Sequence, residues 1–179
     1  MFRYIIALVV LLCGIPAALA AQNSGNSNPQ QTPQAEGISL AGPRFGLTYL
    51  PRAVREKASE HAWIDFDLRP VITQFGWQFE KRFFTVPNGP TAVTEIVLLA
   101  GGLDQSVFIP SLSWLIGIRS SRGTEFGVGP NVSPAGIGLA IAGGVTYTTG
   151  PVHFPVNFAL VPGRHGLRLS SLVGFNMGR

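Results

Sequence analysis

The chain is poor in charge, in lysine and in cysteine. Only 12% of its 179 residues are charged, about half the usual ~25%. Lys57 and Lys81 are the only lysines. A water-soluble domain needs a charged skin, and these side chains barely supply one. The net charge of +4, or +3 once Arg3 is set aside, is too small and scattered for nucleic acid. The single cysteine, Cys13, lies in the N-terminal apolar stretch, so the rest of the chain uses no disulfides. Beyond that stretch no run of ~18 uninterrupted apolar residues occurs, which excludes a helical membrane span. A closed barrel is then the only way into a bilayer.

What is present divides the chain into three. Residues 1–20 have the form of a secretory signal peptide: Arg3, an apolar core over residues 4–13, and the small-residue site Ala18-Leu19-Ala20. Cleavage is expected after Ala20. Lipid attachment at Cys13 is not expected, because Leu12 stands where a small residue is needed. Residues 21–42 form an Asn/Gln/Pro-rich leader, expected to be disordered because it has almost nothing to bury. Residues 43–179 carry the fold.

In that last part large apolar side chains alternate with small or polar ones. From 124 to 133, Thr124, Phe126, Val128, Pro130 and Val132 alternate with Glu125, Gly127, Gly129, Asn131 and Ser133. Successive strand side chains point to opposite faces, so one face is greasy and the other small and polar. The second face lacks the Lys, Glu and Arg of a water-facing sheet and suits the inside of a narrow barrel. Eight such strands are predicted, over 44–50, 71–84, 91–101, 108–119, 124–133, 137–148, 152–161 and 167–177. The register of the third, apolar at both parities, stays open. Turn residues separate many neighbours, which reads as an antiparallel meander. The long connection, 51–70, is expected outside, with a short helix near 52–63. The predicted fold is an all-β, eight-stranded, up-and-down transmembrane β-barrel.

Placing the chain start at the periplasmic end tests this arrangement. Phe45, Phe83, Phe126, Tyr147, Phe154 and Phe175 then fall near the inner rim facing outward, as an interfacial aromatic girdle requires. Tyr49 falls at the opposite rim. The inward charges Arg44, Glu80, Arg82, Arg119, Glu125 and His153 gather toward the inner end, with Arg168 near the outer one. Such a mixed-sign cluster could neutralise itself, and is expected to be structural or gating. Eight strands leave room for side chains or one small ligand, not an aqueous channel.

A signal peptide, eight amphipathic strands and an aromatic near the end of the last strand resemble the small eight-stranded outer-membrane β-barrel proteins of Gram-negative bacteria. The resemblance, a matter of pattern, covers roughly residues 43–179. It implies contact with outer-membrane lipid and with the barrel-assembly machinery, which reads a terminal aromatic. Here Phe175 is followed by Asn176-Met177-Gly178-Arg179.

No residue set demands catalysis, a metal or a cofactor. Glu60, His61 and Asp65 lie together in the long connection, but no second metal-ligand motif accompanies them. His153 with Glu125 or Ser170 could suggest a hydrolase, yet His153 and Ser170 are predicted at different depths. Gly127-Val128-Gly129 lacks the helix that a phosphate loop needs. The expected role is structural or surface-interacting, with the 51–70 connection open to a surface ligand. Two alternatives stand beside it. One is a periplasmic barrel or sandwich with its greasy face inward around a lipid or other apolar ligand. The other is a lipid-modifying barrel enzyme, a lipid A-type hydrolase or acyltransferase, using His153 or His61.

Overall fold

The computed structural model describes residues 40–62, 67–87 and 89–177. The expected signal peptide and most of the expected leader lie outside the described residues. So does Asp65, and of His61 only the backbone is described, so the Glu60, His61 and Asp65 group is not placed.

The alternation is converted into β1 (Gly42–Tyr49), β2 (Val71–Thr85), β3 (Thr91–Gly101) and β4 (Ile109–Arg119). It continues in β5 (Thr124–Ser133), β6 (Gly136–Thr149), β7 (Val152–Gly163) and β8 (Gly166–Gly174). Each strand pairs antiparallel with the next, and β8 returns to pair with β1, so the sheet closes. The expected eight-stranded meander is the observed fold. A two-residue β9 (Asn176–Met177) prolongs β8 against β7. The ladder breaks between the His153–Asn176 and Val156–Val173 pairs, where Pro155 has no amide hydrogen to contribute.

Closure fixes which face is inside. Arg44, Thr48, Gln78, Glu125, Asn131, His153 and Arg168 are buried, whereas Phe75, Trp77, Trp114, Phe126 and Phe158 are exposed. In β3 the open register is resolved: Val93, Glu95 and Val97 point inward, and Ile96 and Leu98 outward. Following paired residues around the sheet, Thr124 leads through Val145, Val156, Val173, Phe45, Phe75 and Ala100 to Pro110. Pro110 lies two residues beyond the Leu112–Val132 pair, so the circuit closes about ten residues up β5, a stagger that tilts eight strands by about 40°. The even stagger keeps inward residues inward all the way round. Coiling this tight brings backbones together: a Cβ on Gly46 would strike the Ser171 carbonyl, and one on Gly129 the Trp114 carbonyl. Glycine is required at both.

One end of the barrel holds the start of β1, β9 and the connections 86–90, 120–123 and 150–151; we call it the terminal end. Gly150, at φ 59, makes the tight reversal between Thr149 and Val152. The opposite, helical end carries α1 (Arg52–Ala62). Val54 and Ala58 are one turn apart on its apolar stripe. Both are buried against Leu50, Leu68, Ile72, Val107 and Ile109. The outer face carries the pairs Arg52–Glu56 (2.9 Å) and Lys57–Glu60 (2.7 Å). The long connection therefore folds down over the barrel mouth. Inside the barrel Val97, Leu115, Ala140 and Val161 form a second apolar cluster.

The barrel begins earlier than composition indicated. Leu40 and Ala41 fall within the expected leader, yet Leu40 is buried and its N–H donates to the Glu80 carboxylate (3.3 Å). Burying this large apolar side chain favours ordering the chain from Leu40 onward.

Candidate functional site in the lumen

The terminal end of the lumen is built around Arg119. Its guanidinium meets Glu80 at 2.5 Å, Glu125 at 2.8 Å and Glu95 at 3.7 Å. The register makes this possible, since Arg119 stands directly opposite Glu125 on β5 while Glu80 stands opposite Glu95 across β2 and β3. A planar guanidinium has five N–H donors in a fixed fork, which suits a residue serving several carboxylates. Asn157 donates to the second oxygen of Glu125 (2.6 Å).

Arg44 sits one layer further in, fully buried. Its cross-strand neighbours are Gly76 and Gly174, which leave space for the side chain. Its nitrogens donate to the Gln78 side chain (3.0 Å), to Asn176 Oδ1 (3.3 Å) and to the carbonyls of Pro43 (3.0 Å) and Leu40 (2.6 Å). Asn176 in turn donates to the Ala41 carbonyl. These bonds strap the start of the barrel across its terminal mouth.

The expected cluster is thus brought together only in part. Arg44, Glu80, Arg119 and Glu125 converge with Glu95, a residue outside the expected set. Glu95 is the only charged residue in its strand, and that charge alone could have settled the strand's parity. Arg82 is half-buried near the rim, without an ion pair to any described residue. His153 bonds the Thr148 hydroxyl (2.9 Å) at the terminal end, while Ser170 bonds Thr48 (2.7 Å) deeper in. The structure does not bring His153 and Ser170 together. Among the described residues no three His, Cys, Asp or Glu side chains are grouped so as to hold a metal.

The six rim aromatics all face outward, at 42–63% exposure. Tyr147 stands directly opposite Phe154. Phe45 lies further from that end, opposite Phe75 with ring centroids 5.0 Å apart.

Between the charged layer and α1 lies a cavity of about 70 Å³. Its middle is walled by Val97, Leu99, Leu115 and Ala140, and its helical end by Gln74, Ser111, Ser113, Asn131 and Arg168.

Comparison with protein-family models, curated proteins and solved structures found no match to this chain.

Proposed function

We propose that this is an integral outer-membrane β-barrel protein of a Gram-negative bacterium, with a narrow filled lumen and a structural or surface-interaction role. The observation that carries the reading is the outward belt. Large apolar side chains on all eight strands are exposed, among them Trp114 (56%) and Phe158 (60%). Lys81 is the only charged side chain at an outward position of β1 to β8. An apolar patch beyond a few hundred Å² on a soluble monomer marks an interaction surface, and a belt that runs right round a barrel has the geometry of a lipid contact.

Two details support it. Eleven residues of β3, tilted by about 40°, climb about 28 Å, against an apolar band about 25 Å tall in barrels of this kind. The indole of the belt is also satisfied internally: Trp114 Nε1 donates to the Thr94 hydroxyl (2.9 Å), which donates to the Leu115 carbonyl (3.3 Å). Hydrocarbon demands such pairing, and water does not.

The filled lumen rests on the Arg119 and Arg44 networks below and on α1 above. Outer-membrane lipid and the barrel-assembly machinery are the partners that follow. The exposed Arg52, Glu56 and Glu60 side of α1 is the surface offered to an external partner; nucleic acid is not proposed. The inward-facing lipid pocket of the alternative reading would need the aromatic residues that face outward here. An enzymatic reading through His153 and Ser170 would need the two in contact, and their hydrogen bonds, to Thr148 and to Thr48, hold them at different depths.

Washing membranes of a Gram-negative host with carbonate and then urea tests the proposal. Full-length protein should stay in the pellet and leave it only with detergent. Release into the wash would overturn the membrane reading.

A further inference from the structure

Arg168 is a guanidinium buried in the lumen that makes no ion pair with any described residue. Its Nη1 donates to Ser133 Oγ (2.6 Å) and its Nη2 to Asn131 Oδ1 (2.7 Å), leaving three of its five N–H groups without an acceptor among the described residues. Asn131 directs its amide hydrogens at Ser111 Oγ and Ser113 Oγ, both at 2.9 Å, with the Leu112 carbonyl a longer contact at 3.3 Å. Each serine hydroxyl thereby accepts, and its own hydrogen finds no acceptor among the described residues. Thr48 donates to Gln74 Oε1 (2.6 Å), so the Gln74 amide also holds unspent donors. All these groups line one end of the cavity, and no carboxylate stands among them; Glu95 lines its other end, beyond the apolar middle.

Among the described residues at this end of the cavity, donors and positive charge are therefore in surplus over acceptors. Burying an uncompensated cation is unfavourable, and donor groups without acceptors add to that. A cavity of about 70 Å³ holds a few waters or one small solute, since a water needs about 10–15 Å³ on this measure. We infer that the helical end of the lumen is a binding site for a small monovalent anion, a halide or a small oxyanion such as formate or nitrate, held by Arg168, Ser111 and Ser113. The inference needs only the fold and stands apart from the membrane reading.

Chlorine nuclear magnetic resonance on the purified full-length protein in an uncharged detergent reads binding directly, as excess broadening of the chloride line. Wild type should broaden the line, Arg168→Gln should lose the excess, and Arg122→Gln, in the exposed β4–β5 turn, should keep it. Arg168→Lys retains the charge and should retain part of the broadening. If Arg168→Gln fails to fold, the Ser111→Ala/Ser113→Ala double variant takes its place and should weaken the effect. Displacement by formate or nitrate extends the site to oxyanions; their failure to displace restricts it to halides, and either supports the site. No excess broadening in wild type, or equal broadening in wild type and folded Arg168→Gln, would overturn it.

Discussion

Arg119 decides the stability of the terminal end. Three carboxylates, Glu80, Glu95 and Glu125, point at one guanidinium that is about 90% buried. Replacing Arg119 by Met keeps most of the volume and leaves those carboxylates facing each other with Arg44 as the nearest remaining cation. Removing one partner of a buried pair costs about 3–5 kcal/mol, so the urea midpoint of Arg119→Met should fall well below wild type. Glu95→Gln should cost far less, because its 3.7 Å contact is the loosest of the three. Equal losses in the two variants would mean that the cluster is held by packing and not by charge. Asp104, in the 102–108 connection, supplies a pH test. Its slight burial works to raise the carboxyl's pKa, but hydrogen bonds from the Thr73 hydroxyl (2.7 Å) and amide (3.1 Å) outweigh it and hold the group below the usual aspartate range. A folded value below the unfolded one stabilises the connection above the ordinary aspartate pKa of about 3.9, and that contribution is lost as pH falls through the lower folded value. The Thr73 amide resonance should therefore titrate with a midpoint under about 3.9; a higher midpoint would contradict the hydrogen-bond account.

At the scale of elements the informative piece is α1. Two small apolar side chains one turn apart, Val54 and Ala58, hold it against the barrel mouth. Ala58→Asp puts a charge into that contact with no partner to receive it, so α1 should lift while the strands stay paired. Limited trypsin digestion checks this: cleavage at Arg52, Arg55 or Lys57 should become fast, with the far-ultraviolet strand signal unchanged. Slow cleavage in Ala58→Asp would show that α1 is anchored elsewhere, for instance through Arg55 and its 2.9 Å pair with Asp67. Most strands were legible in the sequence because they had a pure greasy parity; β3 and β5 are placed to the residue, and β1, β2, β4, β6 and β7 to within two. The register of β3 was not legible, since Val93 and Val97 inside and Ile96 and Leu98 outside read as one apolar run. The same ambiguity hid Glu95 from the charge cluster. The places of Leu40 and Ala41 were not legible for another reason: they depend on Glu80 and Asn176, contacts far along the chain that no local pattern carries. Nor could composition reveal that α1 folds over the mouth, because Val54 and Ala58 make only a two-residue stripe.

For the whole molecule the question is which solvent surrounds the belt, and a charge placed at chosen depths can answer it. Phe158 lies mid-strand in β7, opposite Gly143 and Ser171, whereas Ile137 is the second residue of β6, next to the β5–β6 turn. Both are well exposed, Ile137 at 76% and Phe158 at 60%. In water an exposed side chain changed to Arg alters stability little at either place. In a bilayer an outward Arg costs about 2–4 kcal/mol near the midplane and about 0–1 kcal/mol near the interface. Refolding equilibria of Phe158→Arg and Ile137→Arg in phosphocholine vesicles should therefore separate by a few kcal/mol, with Phe158→Arg the weaker. The comparison cancels what the two variants share: each replaces an outward apolar residue with the same cation on the same barrel, so the difference measures depth. Trp114→Arg provides a second mid-belt point and also frees the Thr94 hydroxyl from its indole partner, so it should cost at least as much as Phe158→Arg. If all three variants lose the same small amount, no hydrocarbon slab surrounds this barrel, and its belt must be covered by protein instead.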